Sequence, residues 1–410
     1  MLGAYAEANR EGQAWLLREL AQHGDAVERR TAVTFVHDAA RRETLEREAE
    51  AARLVGLPIE LADSADLPFP TAGALVLEHQ AQLHPMRVLA VLAAELRERG
   101  GGIVEHCRVR DVAEEHGRVT LETSLGSVSG ESCVLATGMP IPDHGGFFAR
   151  LEPSRSFVAA YRVAGGELPN GMYLSADAPD RSLRTAEDAS DEPLLLVGGG
   201  AHVTGRGGDT AAVLAELDAW TVERFPGARR SRWWAAQDYR MHSRVPYAGP
   251  LHPGTDRVLA ATGYAKWGMT NAVAAALSVT SLLLGGRLDW AATLRRHGPS
   301  LRGAGDAVGA NLAVAGRMLG GWAEAELSDP ATAAALGDGE GRVIRDGVAP
   351  VGVARVDGAE CRVSGVCPHL GGVLRWNPAE RSWDCPLHGS RFTARGERLE
   401  GPAVTDLEPR

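Results

Sequence analysis

The sequence predicts an α+β protein made of two unlike parts, an α/β body with a mixed sheet and a small all-β unit at the C-terminus. Three observations predict it. Helical and strand-like hydrophobic patterns alternate up to about His297. Composition then changes over roughly His297–Asp338, which is rich in Ala and Gly and only weakly helical in pattern. Beyond it come short, evenly spaced strand patterns broken by Gly, Pro and Asp.

The elements follow in chain order. Ala4–Leu20 and Arg42–Leu54 show helical spacing, with a short strand at Ala32–His37 between them. His84-Pro85 opens an amphipathic helix, Met86–Glu98, which Gly100–Gly102 ends. Strand patterns follow at Ile103–Arg110, Arg118–Thr123, Cys133–Ala136, Phe157–Val163 and Leu194–Val197, with a turn at Gly126. Thr210–Glu223 reads as a helix. Val258–Ala261 reads as a strand running into a Gly-rich turn and an apolar helix. There are no internal repeats.

A chain of 410 residues predicts two or three domains. Its 53 acidic against 43 basic residues give a formal charge of -10. That excludes nucleic acid as a natural partner, because phosphate contacts need a basic face. No dense basic run points to an anionic membrane. Five cysteines form an odd, sparse set unlike a disulfide framework. The start has no basic, then apolar, leader pattern. The most apolar stretch, Ala272–Leu284, is shorter than the ~20 residues a membrane span needs. The expected compartment is the cytoplasm.

The strongest chemical pattern is Cys367-Pro368-His369-Leu370-Gly371-Gly372, then Cys385-Pro386-Leu387-His388-Gly389-Ser390, with fifteen residues between His369 and Cys385. Each segment offers one thiolate and one imidazole. A zinc finger usually pairs its cysteines in one knuckle and its histidines in the other, so the mixed knuckles argue against structural zinc. Cys361 lies outside the pattern and reads as a core residue.

These residues resemble the Rieske domain over roughly Asp338–Arg410, with Gly401-Pro402-Ala403 and Leu407 matching its closing strand. The resemblance implies a 2Fe–2S cluster, with Cys367 and Cys385 on one iron and His369 and His388 on the other. Some members tie the two loops by a disulfide, but Gly372 and Leu387 stand at those positions here. Ser390 is placed to hydrogen-bond a sulfide. Phe392 stands where high-potential members have Tyr, and losing that hydroxyl lowers the expected potential within the Rieske range.

Three segments of the body carry a second resemblance: Cys133–Gly138, ending in Thr137-Gly138; Gln237–Tyr239 with Val245–Gly249; and Val258–Asn271. Together they resemble FAD-dependent oxidoreductases of the D-amino-acid-oxidase and glycine-oxidase type, fused to a Rieske domain, from about Tyr5 to Gly286. The resemblance implies a partial FAD-binding α/β domain with a mixed-sheet substrate domain over 1–297, a connector over 298–337 and the Rieske domain over 338–410. It places Thr137 and Gly138 near the FAD. Gly263, Trp267, Gly268, Met269 and Thr270 would line its isoalloxazine end, where a helix N-terminus offers free N–H groups. No G-x-G-x-x-G precedes Ala4, so the domain reads as lacking its first βαβ unit. A misassigned start, a fragment and a lineage that discarded the cofactor all fit that reading.

Weaker candidates complete the set. Gly198–Gly200 with Gly205 mimics a dinucleotide loop, but the spacing is wrong and it reads as a substrate-domain strand and turn. His84 reads as helix-entry structure, and His202, His242 and His252 as isolated residues. Trp233-Trp234 reads as packing. Arg184 and Arg244 suit a substrate carboxylate in chemistry but read as surface arginines. No protein acid–base dyad stands out, which agrees with hydride transfer from a neutral amine.

The expected function is flavin-dependent oxidation of a small amine or amino acid, with single electrons passing through the cluster to a redox partner. The alternative is a Rieske electron carrier with a non-functional flavin domain. The Phe392 substitution gives the first test. A potentiometric titration of the anaerobically purified protein should place the cluster midpoint in the lower part of the range of about -150 to +300 mV, and a value above about +200 mV would contradict the Phe392 argument.

Overall fold

The computed structural model describes all residues except 143–144, 166, 188–191, 297–300, 329–332, 334 and 348; over 301–315 it describes the backbone and only some side chains. The body is organised by a sheet of eight strands. In spatial order these are Ala228–Met241, Leu151–Val163, Pro193–Val203, Arg181–Glu187, Gly171–Ser175, Val27–Val36, Gly73–Leu83 and Glu60–Ala62. Neighbours run antiparallel except Val27–Val36 beside Gly171–Ser175. Alternate residues of Leu151–Val163 are buried, as a strand with one apolar face requires. Phe35, Phe157, Tyr161, Leu195, Val197 and Leu217 form the core on that face. The helix Thr210–Arg224 covers it, and its first turn is capped by the Asp209 carboxylate, which accepts from the Ala211 and Ala212 N–H groups.

A second, three-stranded sheet places Cys133–Leu135 parallel to Val258–Thr262, with Tyr247–Pro250 on the far side. The all-buried run of Val258–Thr262 reads as the centre of that sheet. Behind it, the helix Gly268–Leu283 packs on the N-terminal helix Leu2–Glu19. The approach is close because position 12 is Gly; a Cβ there would collide with the Thr270 carbonyl.

The C-terminal unit consists of two small antiparallel sheets. One holds Gly341–Asp346, Ala349–Val356 and Ala359–Ser364; the other holds Arg375–Asn377, Ser382–Asp384, Arg391–Thr393 and Arg398–Glu400. Leu374, Trp383 and Phe392 fill the space with Val363 and Ala354, and Cys361 sits in this core as expected.

Three expectations change. The predicted connector contains a helix, Leu301–Glu326; residues 298–300, 329–332 and 334 of that span lie outside the described residues. Its Gly-rich composition hides the helical period, but the helix packs on the first C-terminal sheet, and tertiary contact overrides propensity. Ile103–Arg110 is mostly loop, and the strand begins at Val109, because the apolar pair Ile103-Val104 stays exposed. Gly198–Gly200 lies inside the strand Pro193–Val203, with a register shift between Gly199 and His202. The missing side chains there let Ser182 and Phe157 approach.

The two parts meet through buried charge. Arg155, on the long body strand and only 1% exposed, bonds Glu380 at 2.6 Å and Glu400 at 3.0 Å, both in the C-terminal unit. Arg391 joins Glu380 and Asp384 at 2.9 Å each. Thr210 donates to Asn377 at 2.6 Å. Removing one partner of a buried pair leaves the other charge desolvated, at a cost of about 3–5 kcal/mol. Arg155→Ala is therefore expected to lower stability by about that amount and to separate the unfolding of the two parts in a denaturant titration followed by tryptophan fluorescence.

Candidate functional site: two cysteine–histidine loops docked on a flavin fold

The two loops meet at the tip of the C-terminal unit. Each begins where a thiol is buried, Cys367 at 1% and Cys385 at 2% exposure. Each closes by a tight turn in which the glycine four residues on donates its backbone N–H to the cysteine carbonyl, Gly371 to Cys367 and Gly389 to Cys385. Both glycines have positive φ, 72° and 83°, a conformation other residues adopt at a cost. The loops are tied by position 372, where an added Cβ would lie 2.7 Å from Leu387 and 3.1 Å from the Cys385 sulfur.

The sulfurs sit in a field of donors. The N–H groups of His369 and Leu370 and the Ser390 hydroxyl point to Cys367; those of Leu387 and His388 point to Cys385. Ser390 also accepts from the Ala403 N–H at 2.9 Å. The two thiols share a hydrogen bond, which lowers Cys367 to about 7 and, with burial, raises Cys385 well above the ordinary thiol value. Such donors stabilise negative sulfur, as a thiolate ligand requires. The imidazoles of His369 and His388 stand together, ring centroids 5.2 Å apart and nearly perpendicular. Among the described residues no three His, Cys, Asp or Glu side chains form a group able to hold one metal ion. A thiol pair beside an imidazole pair is the donor set of a Rieske-type dinuclear iron–sulfur cluster.

One edge of these loops is closed by the body. His388 is buried against Phe148, ring centroids 5.7 Å apart. Arg206 donates to the Pro386 carbonyl at 2.8 Å, and Gln237 donates to the Gly389 carbonyl at 3.0 Å. Gln237 also bonds the Tyr239 hydroxyl at 2.8 Å. The Tyr239 ring in turn lies on Gly138, where a Cβ would come within 2.7 Å of it. Burial raises the Tyr239 phenol far above its ordinary value, so it stays protonated as a donor.

Gly138 is one of the residues expected at the flavin. It follows the strand Cys133–Leu135, and Gly263 follows the adjacent parallel strand, so both turn at the carboxyl ends of their strands. That edge is where open α/β sheets bind ligands. Both have positive φ, 75° and 81°, and the Thr262 hydroxyl donates to the Gly138 carbonyl, linking the two turns. Thr137 instead turns its hydroxyl to the Met139 carbonyl. The next helix starts at Gly268, and its N-cap Trp267 makes no side-chain cap. Trp267 and Met269 are exposed, whereas the Thr270 hydroxyl bonds Asn9 of the N-terminal helix. These glycine turns and the uncapped helix start suit the ring end of a flavin.

Met269 and Thr270 also line a cavity of about 210 Å³ with Leu16, Leu83, Met172 and Arg184. Arg184, expected at the surface, is half-buried there, and desolvation lowers its pKa. Sequence reasoning missed its partners because they come from four separate elements. Arg244 is exposed. His84 caps its helix, accepting from the Arg87 N–H, and Trp233 packs on the body core while Trp234 is exposed. His202 packs on Phe157.

Fold and site together define a flavin oxidoreductase domain joined to an iron–sulfur domain. A family model described as FAD dependent oxidoreductase matches residues 2–282, and one described as Rieske [2Fe-2S] domain matches 329–409. The chain belongs to the FAD dependent oxidoreductase family and carries a Rieske domain, which imply FAD and a 2Fe–2S cluster respectively. The Bacillus subtilis protein YhfW, described as a Rieske 2Fe-2S iron-sulfur protein, is 31% identical over 376 residues, covering 88% of this chain and 70% of that protein. The cytochrome b6-f complex iron-sulfur subunit of a Synechococcus strain is 46% identical over 46 residues, which are 11% of this chain and 27% of that one. Among solved structures, glycine oxidase from Geobacillus kaustophilus superposes with a TM-score of 0.58 at 16% identity, covering 69% of this chain and 79% of that one. L-proline dehydrogenase from P. horikoshii gives 0.56 at 16%, with the same coverage. These two show the shared fold. No described helix is long and apolar enough to cross a membrane.

The crowding at position 372 gives a test. Gly372→Ala should push the loops apart and lower iron and acid-labile sulfide per chain well below that of the parent protein. Retention of full iron content would mean that the loops yield easily.

Proposed function

We propose that this chain oxidises a small amino acid or amine at its C–N bond and passes the electrons singly through the Rieske cluster. Cys367 and Cys385 would hold one iron and His369 and His388 the other. Thr137, Gly138, Gly263, Trp267, Gly268, Met269 and Thr270 would border the flavin ring. FAD, when bound, accepts two electrons from an amine and releases them one at a time. The amine carbon and nitrogen lose two electrons and two protons, leaving an imine that water hydrolyses.

The observation that carries this reading is the direction the cluster loops face. His388 is packed against the body, and two side chains, Gln237 and Tyr239, reach from the Gly389 loop to the Gly138 turn. On the other side, His369 is half-buried between exposed Pro368 and Leu370. His388 thus marks the side where electrons enter, and His369 the side presented to a redox partner. An acceptor outside the chain is needed because the cluster holds one electron at a time.

Arg184 would orient the substrate. It is the cationic side chain in the cavity beside Met269 and Thr270, and its guanidinium fork matches a carboxylate. The cavity's apolar walls, Leu16, Leu83 and Met172, would exclude water and strengthen that contact. Its volume of about 210 Å³ favours a small amino acid.

Two measurements test the proposal. In the FAD-loaded protein, anaerobic addition of the substrate amino acid should produce the electron paramagnetic resonance signal of the reduced cluster; a reduced flavin beside a cluster that stays oxidised would refute internal transfer. A charge-assisted hydrogen bond contributes about 1.5–3 kcal/mol, so Arg184→Gln should raise KM for the amino acid about tenfold to a hundredfold and leave KM for the matching amine without a carboxylate unchanged.

A further inference from the structure

A separate cleft of about 580 Å³ lies where the body, the helix Leu301–Glu326 and the C-terminal unit meet. It is lined by Arg206 from the body, Arg317 and Glu324 from the helix, and Arg342, Arg375 and Asp384 from the C-terminal unit. The acidic groups are already committed. Glu324 pairs with Arg375 at 2.5 Å. Asp384 bonds Arg391, Ser382 and Asn377.

That leaves Arg206, Arg317 and Arg342 with no carboxylate within 4.0 Å among the described residues. Arg206 uses its Nε on the Pro386 carbonyl, and its terminal nitrogens bond no described residue. Burial and then the like charge of Arg317 disfavour its protonated form, outweighing the favourable field of Glu152, whose carboxylate is paired with Arg240, and of Cys385. Arg317 and Arg342 are exposed and Arg206 half-buried, so three like charges face one concave site with mutual repulsion that solvent only partly screens, in a chain of net charge -10. An anion bridging them would relieve the repulsion and satisfy the free N–H donors.

We infer that this cleft binds a small multivalent oxyanion, a polycarboxylate or a phosphate compound, held by Arg206, Arg317 and Arg342. The site is separate from the Arg184 cavity, so it does not depend on which substrate is oxidised. Arg206 links it to the cluster loop, because its Nε holds the carbonyl of the residue after Cys385. Occupancy would therefore tighten the seat of that loop.

The test is calorimetric titration of the full chain, as purified, with citrate and with inorganic pyrophosphate at low ionic strength. At least one of them should bind saturably at one site per chain. Arg317→Glu, on the exposed face of the helix, should weaken binding about tenfold or more, and Arg342→Gln should weaken it less. Arg53→Glu, exposed on the helix Arg42–Leu54, changes net charge equally and should leave affinity unchanged. Binding of citrate alone would identify carboxylates as the ligand chemistry, and of pyrophosphate alone phosphates. Two results would overturn the inference: no saturable binding of either anion by the folded parent protein, or equal weakening by Arg317→Glu and Arg53→Glu.

Discussion

The buried guanidinium of Arg155 is the constraint from which the arrangement of the molecule follows. A charge that deep is tolerable only when paired and hydrogen-bonded. Its partners, Glu380 and Glu400, belong to the C-terminal unit, and Arg391 shares them from the same side. The body strand Leu151–Val163 can therefore keep its charged residue buried only with the Rieske domain seated on it. An apolar contact would have allowed that domain to slide. A fork of charge-assisted bonds specifies one orientation.

That orientation determines what surrounds the two cysteine–histidine loops. With the Arg155 pairs in place, Pro386 and Gly389 fall against Arg206 and Gln237, and His388 meets Phe148. One edge of the cluster site is thus enclosed by the flavin fold and the other is presented at the surface. The same strand that accepts the Gly389 loop, Ala228–Met241, also packs Tyr239 on Gly138 and Met241 on Gly263. A single rigid element therefore touches both the iron–sulfur loops and the turns expected at the flavin. Sites built on strands hold their geometry better than sites on loops.

The helices Arg42–Leu54 and Pro85–Glu98 and the strand Val258–Thr262 were legible from their local period, reinforced for the second helix by the His84 cap and Pro85. The glycines Gly138 and Gly263 were legible as turns after strands. The helix Leu301–Glu326 was not, because its glycines mask the period and its packing on the C-terminal sheet supplies the missing stability. Arg184 reads as a surface residue in sequence because nothing nearby in the chain shows that Leu16, Leu83, Met172 and Met269 gather around it.

The sequence by itself determined the two cysteine–histidine loops. Their residue types and spacing are local, and each loop closes on its own glycine, so twelve positions are enough to specify two thiol–imidazole pairs. It also determined the flavin-type body through the glycine turns after two strands. Only the tertiary structure decided which way the cluster loops face, which arginine reaches the cavity and where unpaired positive charge collects. Those features depend on contacts such as Arg155 to Glu380, 225 residues apart, and no local period or propensity encodes a pairing across that distance.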